Sequence, residues 1–373
     1  MESKIFISTG DHSGDMYAAQ LMVQLSKQNP GCRFFGLGGS KMEQAGFRSL
    51  IPISDISLVG FSEVLPKLGV FIRLIKRIRE SIQRERPALV ILIDYPGLNL
   101  RIARIAKEMG IPVLYYIPPQ LWAWGKRRVR VIRRCVDRVA VIMPFELDYY
   151  RKWNIRVDYV GHPVLEALSV ENRRDELLTS LGIGSDSRIL GILPGVRKNE
   201  IDNLWPPFSC IAINLKRIYP DLEVLVSLPE SCSVFDSSPH IFAYRGDSHN
   251  LIANSDCVIT KSGTAVLEAA VLGTPMIVCY RLSWLNYFLA RMFIKTRYIS
   301  LVNLLMDRMV VPEFIQREVN HDNIIPLVEE LLDRNNLRRR AMIEDFNEIR
   351  AKLGDHKTSE EVASIAFSMM EGS

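Results

Sequence analysis

The run Ile259-Thr-Lys-Ser-Gly-Thr-Ala-Val-Leu-Glu-Ala-Ala270 joins an apolar strand, a small-residue turn and the start of a helix. That order suits an anion. Ser262, Gly263 and Thr264 are small enough for a ligand to reach the backbone, and the helix they open carries unpaired N–H groups and the positive end of its dipole. Thr264 and Glu268 are four apart, hence on one helical face, with Glu268 about 6 Å further along the axis. A carboxylate one turn below a phosphate can accept from ribose hydroxyls. Helix capping by Ser and Thr, with Glu268 as a solvated first-turn acid, is the alternative reading of the same residues.

Three other stretches have the same shape. Thr9-Gly-Asp-His-Ser-Gly-Asp15 follows the apolar strand Lys4–Ser8, without the spacing of a dinucleotide fingerprint. Asp94 closes the continuous apolar run Ala88–Asp94 and precedes Tyr-Pro-Gly97. A carboxylate at the carboxyl end of a central strand points into a ligand crevice, although an Asp before Pro-Gly also forms turns. Pro194-Gly-Val-Arg197 follows the strand candidate Ile189–Leu193.

Such turns need an open α/β sheet to position them. A second glycine turn, Gly36-Leu-Gly-Gly39 after Phe34 and Phe35, supports one in the first half, with further strands expected at Val113–Ile117, Val139–Met143 and Val157–Val160. The second half repeats the pattern at Glu223–Ser227, Ile241–Ala243, Cys257–Thr260 and Pro275–Tyr280. Two Rossmann-like α/β domains facing a central crevice follow: residues 1–165, residues 166–355, and an amphipathic helix in 356–373 packing back on the first domain.

Composition agrees with a globular chain of 373 residues, 48% apolar and 24% charged. Residues 1–160 hold 25 Lys+Arg against 14 Asp+Glu, a net +11, which leaves −6 for 161–373. The first half therefore wants an anionic partner. Between Val64 and Ile82, apolar residues recur at three- and four-residue steps opposite Lys67, Arg73, Lys76, Arg77, Arg79 and Arg84, beside the apolar loop Ile56–Phe61. Region 56–84 could lie on an anionic bilayer, or form a packed helix with a solvated basic face. Trp122 and Trp124, followed by arginines from Arg127 to Arg134, suit a phosphorylated or lipid substrate or nucleic acid. The six cysteines show no metal spacing and read as reduced core residues. Neither a secretory leader nor a plain spanning helix is evident, so a cytoplasmic protein is expected.

Leu193-Pro-Gly-x-Arg197, Thr260-Lys-Ser-Gly-Thr-Ala-x-x-Glu268 and Tyr280-Arg281 resemble lipid-A-disaccharide synthases, inverting glycosyltransferases of the two-Rossmann-domain GT-B type. Gly10-Asp-His-Ser-Gly-Asp15, Ile93-Asp-Tyr-Pro-Gly97, Pro119-Gln-Leu-Trp-Ala-Trp124, Gly161-His162, Lys295-Thr-x-Tyr-Ile-Ser-Leu301, Asn303 and Val311-Pro-Glu313 extend the resemblance along the chain. It implies transfer of 2,3-diacylglucosamine from UDP to the 6-hydroxyl of 2,3-diacylglucosamine 1-phosphate (lipid X), at the inner face of the inner membrane. It assigns donor binding to the second domain, at Gly195, Arg197, Ser262, Gly263, Thr264, Glu268, Tyr280, Arg281 and Asn303. His12, Ser13, Gly14, Asp15, Trp122 and Trp124 fall on the acceptor side, with Asp94 and Arg197 catalytic and His12 a rival base. Where the family has Glu, Ala and Ser, this chain has Asp11, His12 and Val196. No Asp-x-Asp pair argues for a metal, and no cofactor is expected. A homodimer is left open. The rivals are a UDP-sugar epimerase or a lipid-intermediate N-acetylglucosaminyltransferase on the same scaffold, and, more remotely, a nucleic-acid-binding protein.

Overall fold

Strands of this chain are short, apolar and continuous rather than alternating, the composition of parallel strands buried on both faces. The strongest is β4, Leu89–Ile93, all five residues of which are buried. The computed structural model describes residues 3–52, 68–121, 126–168, 174–184, 186–229, 232, 241–284, 287–288 and 296–372. The chain divides into two compact units, residues 1–163 with 355–373, and residues 164–354.

The first unit is built on a seven-stranded parallel sheet of order β3-β2-β1-β4-β5-β6-β7. Its strands are β1 (Ser3–Ser8), β2 (Cys32–Gly38), β3 (Arg48–Pro52), β4, β5 (Val113–Tyr116), β6 (Arg138–Val141) and β7 (Val157–Tyr159). Period-two alternation sends Phe6, Val90, Leu92 and Tyr115 to one core, and Ile5, Ile7, Ile91 and Tyr116 to the other. The final helix, Thr358–Glu371, returns to pack on the helix His12–Gln28, burying Val362, Ala363 and Ala366. The order in which strands are added reverses between β1 and β4, which run parallel, so the turns after these two strands flank a topological switch point, where open sheets bind ligands.

The second unit repeats this plan with six parallel strands in the order β10-β9-β8-β11-β12-β13. These are β8 (Arg188–Leu193), β9 (Leu222–Ser227), β10 (Ile241–Tyr244), β11 (Cys257–Lys261), β12 (Met276–Tyr280) and β13 (Glu313–Ile315). Here the switch point falls between β8 and β11. Turns 194–197 and 261–264 stand on either side of it.

Several expectations need correction. Strands β3 and β13 were not anticipated. The helix Leu68–Glu85 turns Leu74, Ile78 and Ile82 into the core, half-buries Phe71 and Ile75, and leaves Ile72 exposed beside Arg73, Lys76 and Arg77, which stay in solvent. Cysteines 32, 257 and 279 are buried, whereas Cys210 is exposed. Loop 56–61, Trp122, Trp124 and Lys295 lie outside the described residues. Among the described residues no helix is long and apolar enough to cross a membrane.

Candidate active site

After β8, the chain turns through Gly195 at φ +112°, a conformation that L residues rarely adopt. A Cβ there would also stand 2.4 Å from Glu200 Oε2. Glu200, in the first turn of the helix Lys198–Ile218, accepts from the N–H groups of Val196 (3.2 Å) and Arg197 (3.3 Å) with that oxygen. Its other oxygen pairs with Lys261 Nζ at 2.9 Å, tying the β8 turn to the β11 turn. Arg197 is exposed and has no carboxylate partner among the described residues. The Tyr280 hydroxyl at the end of β12 has its pKa raised by burial and by the charge of Glu200, against the opposing pull of Arg197. One charged cluster thus gathers at the carboxyl ends of β8, β11 and β12.

The helix Thr264–Leu272 opens directly beyond β11. Its first N–H groups point out of the helix end, as at any helix start. Ser262 is committed elsewhere: its N–H donates to Cys279 O (3.0 Å) and its hydroxyl to Ile299 O (2.8 Å). One turn in, Glu268 is buried, with Oε2 3.4 Å from His249 Nε2. Asp247 Oδ1 lies 3.5 Å from the other ring nitrogen. Burial disfavours the charged ring, but the hydrogen bond and charge of Glu268 with the charge of Asp247 outweigh it and raise the His249 pKa.

In the first unit, β4 ends in two consecutive left-handed residues, Asp94 (φ +46°) and Tyr95 (φ +44°). Tyr95 also precedes Pro96, which crowds its backbone further. Asn99, fully buried, holds this turn: its Nδ2 contacts the carbonyls of Asp94 (2.7 Å), Ile93 (3.0 Å) and Ser8 (3.3 Å), and its Oδ1 accepts from Ser8 Oγ (2.7 Å). Tyr115 OH donates to Asp94 O at 2.8 Å, and burial together with the charge of Asp94 keeps that phenol protonated. A Cβ on Gly10 would collide with the Tyr95 ring at 2.3 Å. The first glycine turn therefore packs directly on the turn that presents Asp94.

The lipid-A-disaccharide synthetase family profile matches residues 5–366. A lipid-A-disaccharide synthase of Syntrophus aciditrophicus is 38% identical over 382 residues, covering 100% of both chains. One from Geobacter sulfurreducens is 36% identical over 374 residues, covering 98% of this chain and 97% of its own. The chain belongs to the lipid-A-disaccharide synthase family. It is a glycosyltransferase of that family. Its fold is shared more widely, at 13–14% identity, with UDP-GlcNAc 2-epimerase from Neisseria meningitidis bound to UDP-GlcNAc (TM-score 0.66, 99% and 100% of the two chains) and with the calicheamicin glycosyltransferase CalG4 (TM-score 0.63, 100% and 99%). Likeness to the epimerase concerns the fold alone, whereas likeness to the synthases runs through sequence from end to end.

Set against the synthase motifs, the residues expected on the acceptor and donor sides separate into groups. Asp15 is buried and caps the helix Ser40–Gln44 by accepting from Gly39 N (2.8 Å), Lys41 N (3.0 Å) and Met42 N (3.2 Å). Gly14 packs where a Cβ would strike Thr9 Oγ1. His12 is exposed on the first turn of its helix, while Asp11, in place of the family Glu, caps that helix at Gly14 N (2.7 Å). Val196, in place of Ser, exposes its side chain and gives its N–H to Glu200. Burial pushes the His162 imidazole down to about 3, so it is neutral. Asn303 is fully buried, and both ends of its amide are used: Nδ2 donates to Val311 O and Glu313 Oε1, and Oδ1 accepts from Val310 N and Val311 N. It positions the 299–313 segment. Arg281 is exposed beyond β12, where Gln316 clamps the next residue through Leu282 N (2.7 Å) and Leu282 O (3.0 Å).

Residues that sequence reasoning missed are Asn99, Glu200, Lys261, His249 and Asp247. A signal existed for one of them: Glu200 stands three residues after Arg197, the spacing of a first-turn cap.

Proposed function

We propose that this chain carries out the synthase reaction with its second unit holding UDP-2,3-diacylglucosamine and its first supplying the base for lipid X. The 6-hydroxyl oxygen of lipid X bonds to the anomeric carbon from the face opposite UDP. Asp94 takes the hydroxyl proton, and the bond from the anomeric carbon to the diphosphate oxygen breaks with its electron pair leaving on UDP. Arg197 and the N–H groups opening the helix Thr264–Leu272 stabilise that departing charge. Glu268 accepts from the ribose, and Tyr280 and Arg281 line the same strand ends. In this reading Ser262 and Asn303 hold the donor loops in place rather than touching the nucleotide, since their polar groups are engaged internally.

The observation that carries the reading is positional: the synthase motifs fall on the turns flanking the switch point of each sheet. Left-handed strain at Asp94 and Tyr95 supports it, because such strain persists where surrounding bonds enforce it for a purpose. Membrane contact is proposed through the basic face of the helix Leu68–Glu85, acting mainly by charge, because Leu74, Ile78 and Ile82 of its apolar stripe are committed to the core. The deciding experiment incubates the protein with UDP-2,3-diacylglucosamine and lipid X and looks for UDP and a disaccharide. An epimerised sugar nucleotide, or UDP released without disaccharide, refutes the proposal.

A further inference from the structure

Lys261 ends β11 one residue before the Ser262–Thr264 turn, and its ammonium is held by Glu200 at 2.9 Å. It also stands 3.6 Å from where a Cβ on Gly263 would sit, at the mouth of the helix Thr264–Leu272. Its Glu200 partner also occupies the N–H groups of Val196 and Arg197, and the charges of Glu200 and Arg197 both act on the Tyr280 phenol at the end of the neighbouring strand β12. That carboxylate therefore fills an electropositive corner. Two N–H donors and an ammonium surround it, a donor set that would equally suit a phosphate oxygen.

We propose that Lys261 is a second cation for the diphosphate of the sugar nucleotide, held by Glu200 until the diphosphate arrives and takes over its ammonium. This rests on the donor-site reading above. Charge argues for it: the departing UDP gains negative charge as the glycosidic bond forms, and a further cation beside Arg197 balances more of it. The Lys261 side chain is only about a quarter exposed, so its contact with an anion is less screened than that of a surface lysine. Glu200 has two duties, shaping the Gly195 turn and competing with the diphosphate for Lys261.

Calorimetric titration of the full chain with UDP, alongside an NMR titration with uridine, tests this. Lys261→Met should weaken UDP about ten- to a hundredfold, as loss of a charge-assisted contact does, and leave uridine within about twofold. Lys261→Arg should retain most of the UDP affinity. Glu200→Gln keeps an oxygen for the two N–H groups but releases Lys261, so it should bind UDP at least as tightly as the native protein. If Lys261→Met binds UDP normally, or if Glu200→Gln loses affinity in parallel with it, the pair is a structural tie and the proposal is overturned. Arg197→Ala separates the two levels. Should it too leave UDP binding untouched, the donor-site reading falls; should it weaken UDP while Lys261→Met does not, only the role of Lys261 falls.

Discussion

Replacing Asn99 by Leu should uncouple the turn that carries Asp94 from the sheet. The fully buried native amide reaches three carbonyls and accepts from Ser8 Oγ, with only the contact to Asp94 O part-buried. At about 1 kcal/mol net for each hydrogen bond, with more for a buried group left unsatisfied, the loss of these contacts amounts to about 2–4 kcal/mol. Against that stands the strain they hold in place, about 1–2 kcal/mol for each of the left-handed residues Asp94 and Tyr95. The two quantities are comparable, so a turn freed of Asn99 should relax toward ordinary backbone angles and recover part of the lost stability. Urea denaturation should show a net loss of about 1–3 kcal/mol. Turnover should suffer more: a displacement of the Asp94 carboxylate by about 1 Å costs on the order of a hundredfold. Saturating both substrates isolates kcat, and KM for the donor should hardly move, because Asn99 belongs to the first unit. A variant that loses the stated stability while kcat stays within about threefold would refute the link between the strained turn and the chemistry.

Asp94→Asn should keep the fold and lower kcat by about a hundredfold or more, since an amide cannot accept a proton at neutral pH; retained turnover with collapse in His12→Ala would transfer the role of base to the imidazole. Arg197→Ala should cost about 2–4 kcal/mol of transition-state stabilisation, by analogy with loss of one oxyanion donor, read as kcat/KM in a folded variant. Because Glu268 and Asp247 raise the His249 pKa, its ion pair is fully formed below the unfolded value of about 6.5 and is lost as pH rises through the higher folded value. UDP affinity should weaken along that alkaline limb, and the difference between native protein and His249→Gln should vanish above it; parallel profiles at every pH would remove His249 from the donor site. Replacing Arg73, Lys76 and Arg77 together by Ser should reduce sedimentation with anionic vesicles at low salt, with each residue worth about 1 kcal/mol near the surface. Equal sedimentation of both proteins would leave that face merely solvated.

Eleven of the thirteen strands among the described residues are legible in the sequence, most of them because they are buried on both faces and read as apolar runs, as in β4 and β12. The missed pair, β3 and β13, each form one edge of their sheet, opposite the legible edge strands β7 and β10. Arg48-Ser-Leu-Ile-Pro52 and Glu313-Phe-Ile315 are short, mixed and half-covered, so neither apolar run nor alternation marks them, and only the neighbouring strand makes them strands. The site divides in the same way. Asp94, Arg197 and the Ser262–Thr264 turn were readable because each lies beside a local strand-to-turn signal. Asn99 carries no local signal of its role, since its partners Ser8 and Ile93 come together only when β1 and β4 lie side by side. The pairing of Glu200 with Lys261 has the same origin: β8 and β11 are neighbours by the strand order 10-9-8-11-12-13, which brings together residues 61 apart in sequence. Motifs announce the groups that face the ligand, but the partners that aim those groups are chosen by strand order. Testing Asn99 and Lys261 therefore probes the part of the proposed site that strand order, rather than local sequence, assembles.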